Sequence, residues 1–148
     1  MAHTFPLTLS WSGNSLDDPY NRNATIRNEG KHDLAVSSAP GYLGDPTRWN
    51  PEDLLGSALA TCHMLTFLAL CSKTKVEVVG YEDHAEALLD TKDKVTFITQ
   101  VTLRPVIRVT RGTSAAKVVE LLEKAHKYCF IANSVRCETI LEPRVVEV

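Results

Sequence analysis

A chain of 148 residues with 44% apolar content most simply folds as one domain, long enough to bury a hydrophobic core without staples. Its net charge of −2, with Lys and Arg scattered along the chain, leaves no basic excess to release counterions and argues against nucleic-acid binding. Four cysteines in a chain whose start, "MAHTFPLTLSW", shows no export signal point to thiols, metal ligands or redox groups in the cytoplasm rather than to structural disulfides.

"TFPLTLSWSG" alternates Phe5, Leu7, Leu9 and Trp11 with polar residues, the period of a half-buried strand. "NATIRNEGKHDLAVSSA" predicts a second and a third strand joined by a turn at Glu29 and Gly30, and "PGYLGDPTRW" is a Pro/Gly-rich connection. A long helix follows. Asn50 is a good N-cap, Pro51 suits the first helical position, and Asp53 stands where a capping box wants a carboxylate. Its residues 54–71 carry no formal charge over 18 positions, the lower limit for a membrane span. Gly56, Ser57, two threonines and His63 within it, and the acidic flank of Glu52 and Asp53, favour a buried core helix instead.

"VEVVGYEDHAEALLD" and "KVTFITQVTLRPVIRVT" predict an antiparallel pair of long strands around the turn "TKD". "TSAAKVVELLEKAHKYC" predicts a second, shorter helix with Val118, Leu121, Leu122 and Ala125 on its apolar face. "ETILEPRVVEV" ends the chain as a strand in which Pro143 favours an edge or a bulge. The order β-β-β-α-β-β-α-β is an α+β pattern. Because the first helix is apolar nearly all round, both its faces need covering, by the sheet and second helix or by a second subunit.

The cysteines divide by position. Cys62 and Cys71 are nine residues apart on one helix, about 13 Å along its axis and on opposite faces, so they cannot share a disulfide. From helix position alone each reads as a buried, inert thiol. Cys129 ends the second helix, where it could meet a mid-helix cysteine, and Cys137 starts the last strand as a bystander. Apolar surroundings raise a thiol pKa, and the helix N-terminus is about three turns from Cys62, so a reactive Cys62 calls for a cation from elsewhere in the chain. That buried cation in turn needs a carboxylate. Arg22, Arg27 and Arg48 are the cations on offer, and Glu52 is the carboxylate, although a first-turn acid is also what the helix dipole favours by itself. Against metal binding, the adjacent Cys62 and His63 diverge by about 100° and no C-x-x-C pair exists, while His126 and Cys129 could share an ion. No G-x-S-x-G elbow supports a serine hydrolase.

"NPEDLLGSALATC" resembles the helix signature of the OsmC/Ohr family, the osmotically inducible and organic-hydroperoxide-resistance proteins: Asn-Pro-Glu, a small-residue helix, then the reactive cysteine ten positions after the glutamate. "AHKYCFIANSV" is similar to the family's second-cysteine region. The resemblance implies a single OsmC-like domain over residues 1–148. It also implies antiparallel sheets wrapped around two central helices in an intertwined homodimer with two interface active sites. The implied activity is a thiol-dependent peroxidase that reduces organic hydroperoxides to alcohols in oxidative-stress defence, with Cys62 peroxidatic, Cys129 resolving and Glu52 holding an arginine. "YNRNATIRNEGK" looks like the arginine's location, with Arg22 preferred to Arg27 and Arg48 third. The implied partners are a small hydroperoxide and a dithiol reductant, lipoylated or thioredoxin-like, with no metal, flavin, haem, nucleic acid or membrane. His63 stands where many relatives carry an aromatic residue, which marks a distinct branch. The alternatives are a non-catalytic, stress-related binding dimer with inert cysteines and a small metal-binding module.

Overall fold

The computed structural model describes every residue from Met1 to Val148 and divides the chain into two compact units, Met1–Leu54 and Leu55–Val148. In the first unit, β1 (Thr8–Trp11), β2 (Ala24–Arg27) and β3 (Leu34–Val36) form an antiparallel sheet in that order. The turn between β2 and β3 uses Gly30 at φ 77°, a left-handed conformation that glycine adopts at little cost. After a 3-10 turn at Pro40–Tyr42 the chain doubles back so tightly that a side chain at Gly44 would collide with the Ser38 carbonyl. Little of this unit is buried: Val36 and Ser37 are, whereas Phe5, Leu7, Leu9 and Trp11 are exposed.

Helix α1, Pro51–Thr74, begins where its capping residues predict. The Asn50 side chain accepts from the Asp53 N–H at 2.8 Å and the Asp53 carboxylate accepts from the Asn50 N–H at 3.3 Å, so two free donors of the first turn are satisfied reciprocally. The helix is long and apolar enough to cross a bilayer. Its buried line, Gly56, Leu59, His63, Phe67 and Cys71, nevertheless repeats at the three- and four-residue spacing of a helix facing a protein core.

That core belongs to the second unit. Strands β4 (Val78–Asp83) and β5 (Glu86–Lys92) turn back into β6 (Val95–Leu103) and β7 (Pro105–Val109), so β5 pairs with β6 and β4 with β7, both antiparallel. Helix α2 (Ala115–Tyr128) follows, its N-cap Ser114 accepting from the Lys117 N–H. Then β8 (Glu138–Leu141) and β9 (Arg144–Glu147) run along β6 and β7. Two apolar clusters fill the interior. One joins Phe67 and Cys71 to Ile107, Val109 and the predicted α2 face of Val118, Leu121, Leu122 and Ala125. The other joins Leu59 to Val101, Leu103 and Cys129.

The architecture is the α+β fold expected, with two refinements. Each of the three strands expected after α1 is broken in two, as β4 and β5, β6 and β7, and β8 and β9. β8 and β9 run parallel to β6 and β7, so the sheets of the second unit are mixed rather than wholly antiparallel. The reason lies in the connection: α2 carries the chain back to the starting end, and a strand reached by such a crossover returns in the same direction. Pro143 falls in the break between β8 and β9, which are edge strands, as a residue without an N–H requires.

Candidate active site

Cys62 is half-buried on the α1 face that also carries Leu55 and Leu59, and it packs into the cluster formed by Leu59, Val101, Leu103 and Cys129. Cys129 caps the C-terminus of α2 in extended geometry (φ −69°, ψ 115°) and is fully buried. Two free thiols, far apart in sequence, thus occupy one apolar cluster, each close enough to affect the other's ionisation.

The chain beyond Cys129 shapes their surroundings. Residues 129–134 wind into a short turn: the Ser134 N–H donates to the Ile131 carbonyl at 2.9 Å, the Ser134 hydroxyl to the Phe130 carbonyl at 2.7 Å, and the Asn133 N–H to the Cys129 carbonyl at 3.1 Å. The start of such a turn leaves N–H groups without backbone partners. Here they serve sulfur. The Ala132 N–H donates to Cys129 Sγ at 3.4 Å, and the Phe130 and Ile131 N–H groups act on Cys62.

Burial opposes ionisation of Cys62, but the Ile131 N–H, the Cys129 thiol and the Phe130 N–H outweigh it, so the Cys62 pKa lies below that of an ordinary cysteine, while the Thr66 hydroxyl donates its proton to the Cys62 carbonyl at 2.8 Å. Cys129 moves the other way: burial holds its proton on, the Ala132 N–H works against that, and the Cys62 sulfur adds to the upward shift. The pair is therefore asymmetric, with Cys62 the better thiolate and Cys129 the better thiol. Within the second unit, backbone N–H groups and a thiol dipole produce this shift. Sequence reasoning looked to a cation for such a shift and did not anticipate the Phe130 and Ile131 N–H groups. The turn-prone "ANS" just after Cys129 was the readable signal.

Cys62 and Cys129 are thus brought together, while Arg22 and Glu52 are not paired within this chain. The Arg22 guanidinium lies 4.0 Å over the Tyr20 ring and donates to the Tyr20 carbonyl at 2.9 Å. Arg27 pairs with Asp33 at 3.0 Å, and Arg48 with Asp45 at 3.5 Å. Glu52 keeps one buried carboxylate oxygen, Oε2, with no hydrogen-bond partner. Of the apolar side chains near the two cysteines in sequence, Leu55 packs into the Cys62 cluster, Phe67 belongs to the other cluster, and Leu65 and Phe130 are exposed.

His63 points away from Cys62 into the core, fully buried, its ring centre 6.1 Å from that of His126. Neither of its nitrogens has a partner, nor does His126 Nδ1. Burial first, and His126 second, push its pKa down to about 4, so it is neutral at pH 7. No third His, Cys, Asp or Glu joins the two imidazoles in metal-binding geometry.

The family profile described as OsmC-like protein matches residues 44–143, more than half of the chain, and spans both Cys62 and Cys129. The chain belongs to the OsmC-like family. A similar family member of solved structure is the OsmC-like protein of unknown function VCA0330 from Vibrio cholerae. It superposes with a TM-score of 0.87 at 30% identity, covering 96% of this chain and 99% of that one. An organic hydroperoxide resistance protein from Elizabethkingia anophelis has the same fold, with a TM-score of 0.75 at 18% identity over 100% of this chain and 99% of its own. YmaD, an uncharacterized protein of Bacillus subtilis (strain 168), is 24% identical over 138 residues, 90% of this chain and 87% of YmaD. The OsmC-like fold thus includes proteins named for resistance to organic hydroperoxides.

Proposed function

We propose that this OsmC-like protein is a thiol-dependent peroxidase that reduces organic hydroperoxides to alcohols. The observation that carries this reading is the pair itself: Cys62, with donors that favour its thiolate, beside a Cys129 that retains its proton. The Cys62 thiolate attacks one peroxide oxygen, the O–O bond breaks, and the alkoxide leaves and takes a proton from water. Cys62 is now a sulfenic acid. The Cys129 sulfur attacks it, an S–S bond forms, and the hydroxyl departs as water with the Cys129 proton. The sum converts two thiols and a hydroperoxide into a disulfide, an alcohol and water. A dithiol then restores both thiols by exchange, and a lipoylated or thioredoxin-like protein has the required chemistry.

Arg22 is the proposed aid to this attack. Its half-buried stacking on Tyr20 makes it a better candidate than Arg27, which is bound to Asp33 at the surface. The unpartnered oxygen of Glu52 is its proposed anchor, and a guanidinium so held polarises the peroxide and supports the thiolate. A homodimer is part of the proposal. The exposed Leu7 and the exposed β1 residues Leu9 and Trp11, together with the exposed α1 residue Leu65, are apolar surface that a second copy would cover. The protein would work in the cytoplasm, where thiols stay reduced.

The test is stoichiometric oxidation. Reduced protein treated with one equivalent of cumene hydroperoxide yields one equivalent of cumyl alcohol and loses two thiols. Cys62→Ser abolishes the reaction, and Arg22→Ala slows it by about a hundredfold, the scale of one lost charge-stabilising group. Unchanged rates in Cys62→Ser would reject the reading.

A further inference from the structure

Three of the four thiols share one apolar cluster. Cys129 is one of its buried members, and Cys62 and Cys137, each half-buried, pack against it. The proposed peroxide chemistry uses two of them and leaves Cys137 idle. Cys137 stands one residue before β8, whose Glu138 and Thr139 lie beside Gln100 and Val101 of β6. It therefore reaches the cluster from the sheet, whereas Cys62 and Cys129 reach it from α1 and the end of α2. Between Cys129 and Cys137 the chain holds only the short turn at Ala132–Ser134, too little regular structure to fix the two sulfurs apart. Cys137 also lines a pocket of about 180 Å³ bordered by the exposed Arg136, whereas Cys129 has no exposed surface. Cys71, the fourth thiol, lies in the other cluster.

This arrangement bears on how a Cys62–Cys129 disulfide is reopened. Exchange requires a thiolate to attack one of the two sulfurs, and it is faster when the sulfur expelled has the lower pKa. Attack at Cys129 expels Cys62, the better thiolate, but burial closes Cys129 to a reductant from solution. A thiol already inside the cluster can deliver that attack. We propose that Cys137 is a relay thiol, which moves the disulfide from Cys62–Cys129 to Cys129–Cys137 and presents it to the dithiol reductant at the pocket. In this step Cys137 gives its proton to water and its sulfur bonds to Cys129 Sγ. The Cys62–Cys129 bond breaks, and Cys62 departs as a thiolate. One disulfide replaces another, so no oxidant or reductant is consumed. Burial keeps the Cys137 proton on, so the relay is slower than the first oxidation and follows it. Its place in the cycle rests on the peroxidase reading, whereas the exchange itself needs only the three thiols. Cys62 is then free for a second hydroperoxide before any reductant arrives.

Two measurements test the relay, and the first is independent of peroxide chemistry. Reduced protein is given one equivalent of diamide, quenched in acid at intervals, alkylated and mapped by mass spectrometry. Cys62–Cys129 should appear first and then give way to Cys129–Cys137, with Cys62 open to alkylation again. In Cys62→Ser, where two protonated thiols must be oxidised directly, Cys129–Cys137 should form about tenfold more slowly. A Cys62–Cys129 bond that persists while Cys137 stays alkylatable overturns the relay, and so does a Cys129–Cys137 bond that forms as fast in Cys62→Ser. In the second measurement, two equivalents of cumene hydroperoxide are added without reductant. The unmodified protein should yield two equivalents of cumyl alcohol and Cys137→Ser only one, and equal yields overturn the relay. No alcohol from either protein overturns the peroxidase reading alone, and the diamide mapping still decides the relay.

Discussion

A thiolate in an apolar cluster is ordinarily stabilised by a neighbouring positive charge. Around Cys62 the work is divided among small dipoles: two backbone N–H groups and a second thiol. None costs the desolvation that a buried guanidinium would, so these dipoles lower the thiol pKa before the proposed Arg22 adds to their effect. The resemblance pointed to Cys62 and Cys129, whereas helix position alone left Cys62 an inert thiol. The direction of the Phe130 and Ile131 N–H groups was not, because a turn's backbone conformation sets it and no side chain encodes it. His63 presents the opposite case, a polar ring with unpartnered nitrogens among apolar neighbours. With its folded pKa near 4 and an unfolded value near 6.5, the unfolded chain takes up a proton first as pH falls. Stability is therefore complete above about pH 6.5 and is lost towards pH 4, by about 3 kcal/mol at most for this residue. Urea unfolding across that range should show the decline. His63→Leu should flatten it and raise the midpoint at pH 7, since an apolar side chain leaves nothing unpaired.

At the scale of elements, the start of α1 was the most legible feature, since Asn50, Pro51 and Asp53 specify a cap by local chemistry alone. The apolar face of α2 was equally legible from its spacing. The direction of β8 and β9 was not, because parallel pairing follows from where α2 delivers the chain, which local patterns do not state. The turn after α2 is the element on which the site depends most. The Ser134 hydroxyl holds it by donating to the Phe130 carbonyl, so Ser134 is a positioning residue. Ser134→Ala should loosen the two N–H groups and raise the Cys62 pKa. Its alkylation at pH 7 should slow by up to about fivefold, the equivalent of one net hydrogen bond of about 1 kcal/mol. The rate at high pH, where every thiol is ionised, should stay the same, and a loss equal at all pH values would mean general unfolding instead.

At the scale of the whole molecule, the apolar residues outnumber the places one chain has to bury them. Phe5, Leu7, Leu9, Trp11 and Trp49 are exposed in the first unit, and Leu65 and Phe130 in the second. The all-round apolarity of α1 announced this demand in the sequence, but composition cannot say which surface meets it. If a second copy covers Leu65, 57% exposed in the single chain, then Leu65→Glu should bury a charge at the interface and convert a dimer into monomer or aggregate in sedimentation velocity. A Leu65→Glu protein that sediments as an unchanged dimer would place the interface elsewhere. The central claim, however, concerns one sulfur. Alkylation of reduced protein with iodoacetamide from pH 5 to 10, read peptide by peptide by mass spectrometry, resolves each thiol separately. Cys62 should reach its half-maximal rate below the ordinary cysteine range, and Cys129 above it. A Cys62 that titrates with or above free cysteine would contradict the account.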